Sequence, residues 1–348
     1  MYNYYTNYRM TTTLTQLNSN VQLHGGNCLQ ILDIIAPESQ DCIYMDPPFD
    51  SDRNYSISVD NAVGFKDKWE GDEYETFIRT VVDKCYSKLK KKGTLFFHIS
   101  SDRMFIPERI LREKFKSVQP IFWKRCRSKN NVKSKLGATI DIIFKCNRET
   151  GAKFNVVLQA KDEKYLQNSF KNKDARGNYS LGHVVTESTK KGYMYEFEFN
   201  GKIHNPEAGW RIKKEVMDQL KAEDRLHIPK TQKSKLYKKI YLHENPGKPC
   251  TDLWDDIHSI GQGNELRKYP TAKPLKLLER IILISTDPGD SVLDPMCGSG
   301  TTGIVCAKLG RKCTLIDSNP DVLSIIQGRF SQIEDGEEDG EEDAVDSV

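Results

Sequence analysis

Four consecutive residues, Asp46-Pro47-Pro48-Phe49, combine an acid, two rigid rings and an aromatic plane. The apolar run at 41–45 reads as a buried strand, and two prolines cannot extend a strand's hydrogen-bond ladder, so the strand stops there. Pro47 also restrains Asp46 to an extended backbone. The result is an outward-facing corner holding a carboxylate, a carbonyl left outside regular structure, and a flat ring. That set suits a planar amine: Asp46 and a proline carbonyl accept its two N–H bonds while Phe49 stacks on its ring. A stiff loop without chemistry would carry the same residues.

A second candidate is Asp294-Pro295-Met296-Cys297-Gly298-Ser299-Gly300, far toward the other end of the chain. Val292 and Leu293 enter a sheet, Asp294 ends the strand, and Gly298 and Gly300 allow a tight turn that a ligand can approach closely. Thr301 and Thr302 then open an apolar-periodic helix that Gly310 stops. The third glycine falls at Gly303, one position late for the dinucleotide fingerprint, and no Gly-Lys-Ser/Thr follows for a P-loop. Asp294 would repel a phosphate and attract an amino group. About 14 residues past the turn, a second strand at 312–317 ends in Asp317, placed to accept hydrogen bonds from ribose hydroxyls. A ligand carrying an ammonium group and a ribose therefore fits, although an isolated glycine turn need bind nothing.

The elements that must hold these residues alternate between strand and helix. Strands are expected at 21–24, 41–45, 94–99, 120–124 and 139–146, and helices at 29–35, 74–89, 107–115 and 275–284. His98 reads as a strand-end histidine satisfied by its neighbours rather than as a catalyst. Asp141 interrupts an otherwise apolar strand. Residues 50–69 read as a mobile lid or as a plain surface loop. This alternation predicts an α/β fold with a parallel-rich sheet and helices on both faces. The pattern breaks between 147 and 249, where short aromatic pieces, turns at Arg176-Gly177 and Asn200-Gly201, and many lysines suggest a separate small module.

The charge is segregated. The net charge of the 348 residues is only +3, yet 121–250 carries 28 Lys and Arg against 14 Asp and Glu. Such a surplus is the footprint of a phosphate-backbone contact surface, or else of a well-solvated lysine-rich face. Between Glu334 and Asp346 there are nine acids and no base, a composition that predicts a disordered tail. Nine scattered cysteines without a C-x-x-C, together with no membrane-length apolar run and no signal-peptide pattern, lead to the expectation of a soluble intracellular protein without structural zinc.

Three segments in this order, Asp46-Pro47-Pro48-Phe49, Tyr269-Pro270-Thr271-Ala272-Lys273-Pro274 and Asp294-Pro295-Met296-Cys297-Gly298-Ser299-Gly300, make the chain resemble the β-class amino-methyltransferases that act on DNA. The resemblance covers about 20–150 and 250–330. It implies a Rossmann-like seven-stranded methyltransferase sheet that is circularly permuted, with an inserted target-recognition region. It also implies S-adenosylmethionine as cofactor and double-stranded DNA as partner, with the methyl group going to an exocyclic amine of a flipped-out base. Family enzymes of this kind bring two further partner expectations, a second copy of the chain and a cognate restriction endonuclease.

The resemblance assigns catalysis to Asp46, Pro47, Pro48 and Phe49. It assigns the methionine end of the cofactor to Asp294, the ribose to Asp317 and the adenine to Asn27 and Cys28. Asp46, Pro295, Met296, Gly298, Ser299, Gly300 and Thr301 complete that surface. Lys273 either touches the cofactor or caps its helix. Met296 stands where the family usually has Phe, and Asn27 where many members have Asp. Asp at the head of the tetrapeptide favours adenine N6. Cytosine N4, an RNA or protein substrate, and a catalytically silent DNA-binding partner are the alternatives. The expected organisation is a flexible lead-in at 1–20, a catalytic half at 21–146, a basic recognition region at 147–250, a cofactor half at 251–330 and an acidic tail at 331–348.

Overall fold

The computed structural model describes residues 12–57, 62–126, 136–159, 163–186, 191–229, 235–244, 247–260 and 272–334. The chain divides into two compact units, Met1–Val157 with Thr251–Val348, and Leu158–Cys250.

The first unit is built on a nine-stranded sheet in the order Thr13–Gln16, Val21–Gly25, Lys312–Asp317, Ser291–Asp294, Gln40–Met45, Leu89–Ser100, Ile140–Asn147, Ser117–Lys124, Leu253–Trp254. The five strands from Val21–Gly25 to Leu89–Ser100 run parallel. Ile140–Asn147 lies antiparallel between Leu89–Ser100 and Ser117–Lys124. These seven form the expected body, and the two outermost strands are short additions at its edges. The central strands read as near-continuous apolar runs because both faces are covered, as parallel strands require. Ile43, Met45, Leu95, Phe97, Leu293 and Ile316 all sit in one core. The helices Cys28–Ile34, Glu73–Lys88 and Phe105–Lys114 pack in succession, and Leu275–Ser285 packs on Thr301–Lys308 as a second group. No helix of the described residues is long and apolar enough to cross a membrane.

Three boundaries differ from expectation. Within the lead-in expected at 1–20, Thr13–Gln16 pairs antiparallel with Val21–Gly25 as an edge strand; residues 1–11 lie outside the described residues. Its polar side chains hid it, since an edge strand with exposed faces has no apolar alternation to show. The second unit begins at Leu158 rather than at 147. The intervening residues are anchored in the first unit, where the Asn155 amide donates to Leu283 O (3.1 Å) and Thr286 O (3.0 Å). The last helix runs Pro320–Glu334, so the expected tail at 331–348 starts as helix, and 335–348 lies outside the described residues.

The second unit has its own antiparallel sheet, ordered Asn172–Asp174, Gly177–His183, Tyr237–Tyr241, Leu226–His227. It has a separate small core of Val184, Phe197, Trp210, Met217, Leu226 and Leu236. Both expected turns are present, and Asn200-Gly201 takes positive φ at both residues, as a two-residue hairpin between Phe197–Phe199 and Lys202–His204 demands.

Candidate active site

Parallel strands end on one side of a sheet. Ser291–Asp294 and Gln40–Met45 are direct neighbours, with Val292 opposite Cys42 and Leu293 opposite Ile43, so Asp294 and Asp46 arrive at the same edge. From Gln40–Met45 the chain goes on to Leu89–Ser100 on one side, and from Ser291–Asp294 to Lys312–Asp317 on the other. The two connections diverge, leaving a crevice beyond the carboxyl ends, where open α/β sheets bind ligands. Asp317 ends the next strand along and brings a third acid.

The turn after Asp294 is fixed from several directions. Met296 N–H (3.2 Å) and the Thr302 hydroxyl (2.5 Å) donate to the Asp294 carboxylate, and Gly298 N–H donates to Asp317 (3.0 Å). Gly298 and Gly300 adopt φ of 49° and 76°, a left-handed backbone that side-chain-bearing residues rarely take. A Cβ on Gly300 would stand 2.9 Å from Ile326 Cγ1. From the last helix, buried Arg329 donates to Ser299 O (2.9 Å) and to Thr301 Oγ1 (3.2 Å). Pro295 is buried, and Met296 packs on the edge of the core.

Burial raises the Asp294 carboxyl to about 7; the Thr302 and Met296 hydrogen bonds oppose this, and the charges of Asp46 and Asp317 add to it. Asp317 is raised to about 6, again by burial, against the N–H groups of Asn319, Gly298 and Ser318. A cation or hydroxyl donors beside these two carboxyls would favour their charged forms and offset the cost of burying them.

Asn27 spends its side-chain oxygen on Leu29 N–H (2.8 Å), capping the helix Cys28–Ile34. Cys28 gives its side chain to the core, and burial, then the charge of Asp317, pushes its thiol up to about 12. The preceding Gly26 N–H donates to Asp317 O (2.8 Å), so both residues lie next to Asp317.

At the other corner Pro47 is buried, and the Tyr74 hydroxyl donates to Pro48 O (3.0 Å). The backbone then wraps around one buried carboxylate. Asp67 accepts the N–H groups of Phe49 (3.1 Å), Asp50 (2.8 Å) and Ser51 (2.9 Å), and the Trp69 indole N–H (3.2 Å). The stretch left open between lid and loop is thus a hairpin, Arg53–Ile57 with Ala62–Asp67, tied back to the corner; residues 58–61 lie outside the described residues.

Of the third segment, Tyr269, Pro270 and Thr271 lie outside the described residues. Lys273 forms an ion pair with Asp46 Oδ2, and its Nζ lies 6.0 Å from the centre of the Phe49 ring. Pro274, not Lys273, occupies the cap position of Leu275–Ser285. Among the described residues the buried Asp46 Oδ1 has no hydrogen-bond partner.

Sequence reasoning missed Asp67, Asp141 and Arg125, and gave His98 no role at the site. His98 is fully buried behind Asp46, with Nδ1 3.3 Å from Asp46 Oδ1 and 3.1 Å from the Tyr44 hydroxyl. Its Nε2 is 3.4 Å from Asp141 Oδ2, whose other oxygen is 3.1 Å from Arg125 Nε. Burial pushes the Asp141 carboxyl up, but the His98 hydrogen bond and the charges of His98 and Arg125 outweigh it and leave it below the usual carboxylate range. The signal was Asp141 itself, an acid within Ile140-Asp141-Ile142-Ile143 that a buried strand keeps only with a partner.

Residues 40–328 match the family model described as DNA methylase. The chain belongs to the DNA methylase family. It is 27% identical, over 83% of its length, to the type II methyltransferase M.EcaI of Enterobacter cloacae, of which it spans 64%. It is also 27% identical, over 86% of its length, to the DNA adenine methyltransferase YhdJ of Escherichia coli, of which it spans 79%. The solved PvuII DNA methyltransferase, which is cytosine-N4-specific, aligns with a TM-score of 0.51 at 13% identity, covering 91% of this chain and 92% of that one. At that identity the likeness shows the fold.

Members of the DNA methylase family use S-adenosylmethionine. The turn fits it: the raised carboxyls of Asp294 and Asp317 offer acceptors to an ammonium group and to ribose hydroxyls.

Proposed function

We propose that the protein transfers a methyl group from S-adenosylmethionine to the N6 amino group of an adenine flipped out of duplex DNA. The observation that carries this reading is the pairing of the two motif-bearing strands, which sets the Asp46 carboxylate beside the Asp294 turn. When bound, the cofactor supplies a methyl group made electrophilic by its sulfonium.

The chain's own residues do the rest. An aryl amine is a poor nucleophile because its lone pair is spread into the ring. The Asp46 carboxylate and the Pro47 carbonyl accept its two N–H bonds, drawing the nitrogen toward a tetrahedral shape and aiming the pair at the methyl carbon. Phe49 stacks on the base, which must leave the helix to reach the corner. Asp294 holds the ammonium of the cofactor, Asp317 its ribose, and Asn27 and Cys28 border its adenine. The chain order, with the corner strand before the cofactor strand, supports the permuted arrangement.

Residues 158–250 carry 19 Lys and Arg against 12 Asp and Glu, a surplus that supports duplex binding, so affinity should fall with added salt. A flat salt response in a duplex titration removes that assignment. Asp rather than Ser at position 46 favours adenine over cytosine. The type II relatives support a restriction-modification setting with a cognate endonuclease, and a second copy of the chain as further partner. Labelled S-adenosylmethionine incubated with unmethylated bacterial DNA, followed by nucleoside digestion, tests the reading. Label in N6-methyldeoxyadenosine is expected; label in N4-methyldeoxycytidine replaces adenine with cytosine as target, and tight duplex binding without transfer makes the protein a binding partner.

A further inference from the structure

Behind the corner lies a row of polar groups that the transfer chemistry above does not use. His98 is on the strand Leu89–Ser100, with Tyr44 on one neighbouring strand and Asp141 on the other. A fully buried imidazole in an apolar sheet is costly unless both nitrogens find partners. Here Nδ1 faces Asp46 Oδ1 and accepts or donates a hydrogen bond with the Tyr44 hydroxyl, while Nε2 lies 3.4 Å from Asp141 Oδ2 as an ionic approach. Asp141 is in turn held by Arg125. The ring is also gripped edge-on by aromatics, with Phe49 at 5.6 Å and Trp123 at 5.5 Å between ring centres. The same imidazole therefore touches the acid and the stacking ring of the tetrapeptide.

We propose that His98 is a positioning residue for methyl transfer: lying between Asp141 and Asp46, it fixes the orientation in which the Asp46 carboxylate receives the incoming amine. Lys273 holds Asp46 from the other side through Oδ2, so the carboxylate plane is set at both ends. The Nδ1–Oδ1 approach of 3.3 Å holds the buried oxygen of the carboxylate from behind and so sets the direction in which the carboxylate faces the target. Arg125 and Asp141 extend the clamp outward and stop the ring from turning.

The two ring nitrogens can be replaced one at a time. Asn at position 98 puts an amide nitrogen near the place of Nδ1 and keeps the hold on Asp46. Gln reaches the place of Nε2 and keeps only the contact with Asp141. In single-turnover transfer to unmethylated bacterial DNA, His98→Asn should stay within about tenfold of wild type, while His98→Gln and His98→Leu should fall about 100-fold, the scale of a misplaced reacting group. S-adenosylmethionine affinity measured by calorimetry should stay within about threefold in all three, because the Asp294 turn is untouched.

A residue that only fills a polar hole would be replaced equally well by Asn and Gln, so equal rates for those two overturn the proposal, as does a His98→Leu enzyme at the wild-type rate. If the Leu variant does not fold, the ranking of Asn over Gln decides alone. The inference rests on Asp46 gripping the target amine. Undiminished transfer by Asp46→Ala would break that underlying reading, whereas a dead Asp46→Ala beside equal Asn and Gln variants breaks only the role given to His98.

Discussion

Asp46 and Asp294 follow from two neighbouring strands and face one crevice, yet their surroundings are opposite. Asp46 is provided for by the protein: Lys273 pairs with one oxygen, and His98 lies behind the other. Asp294 has only neutral donors, Thr302 and Met296, and two more acids nearby, so burial lifts its carboxyl to about 7. The corner is built to remain an acceptor whether or not a ligand is present. The turn is built to be completed, since its carboxyls become comfortable as anions only when a cation or hydroxyl donors arrive. The difference separates two tasks, gripping a neutral amine and capturing a charged cofactor.

Breaking each side should give different losses. Asp46→Ala should lower single-turnover transfer by about 1,000-fold, as loss of a preorganised group at the reacting centre does, while cofactor affinity measured by calorimetry stays within about threefold. If cofactor affinity collapses instead, the corner is structural. Asp294→Asn should weaken cofactor binding by about 10- to 100-fold, the loss of one charge-assisted contact, with transfer largely restored at saturating cofactor. Failure to recover at saturation would move Asp294 from binding into the transfer step.

A smaller effect is expected at Asp67. Asp67→Ala strips three backbone N–H groups of their acceptor and should cost about 1–3 kcal/mol of stability in a urea titration. It should also slow transfer by about tenfold through a loosened Phe49. An unchanged midpoint would show that the loop after Phe49 holds itself.

The smallest effect is the one that reads the comparison directly. Ordinary aspartates lose their protons near pH 4, whereas Asp294 holds its proton to about 7 and Asp317 to about 6. Between about pH 4 and 7 the folded ligand-free protein therefore binds more protons than the unfolded chain, and this pair's contribution to stability declines as pH rises through that window. Bound cofactor favours the charged forms and removes the penalty. The rise in Tm on adding S-adenosylmethionine should accordingly be larger at pH 8 than at pH 5.5. An equal or smaller rise at pH 8 would mean that these carboxyls do not meet the cofactor.

Much of this site was legible in local chemistry. Asp46-Pro47-Pro48-Phe49 announces the end of a strand because prolines cannot pair, and Gly298 and Gly300 announce a turn because few other residues take their backbone angles. The clamp behind Asp46 was not legible in the same way. His98 and Asp141 are 43 positions apart and stand on adjacent antiparallel strands, so neither shows its partner in its own neighbourhood. Asp67 was hidden for a related reason: it lies at the end of a polar hairpin whose return to the corner depends on three backbone amides and not on any apolar pattern. Lys273 could be read as a cofactor contact or a helix cap, and only its placement opposite Asp46 gives it a partner.

The sequence by itself determined the alternation of strands and helices, the two acid-terminated corners, the charge segregation and the kind of chemistry each corner suits. These follow from side-chain volume, charge and backbone freedom over a few residues at a time. Only the tertiary structure decided that Gln40–Met45 and Ser291–Asp294 are neighbours, that Asp294 feels the charge of Asp46, and that a buried histidine stands behind the tetrapeptide. The physical reason is that strand order in a parallel sheet is set by how the whole chain buries its apolar faces, and groups nearly 250 residues apart influence one another only once that burial has excluded the water between them.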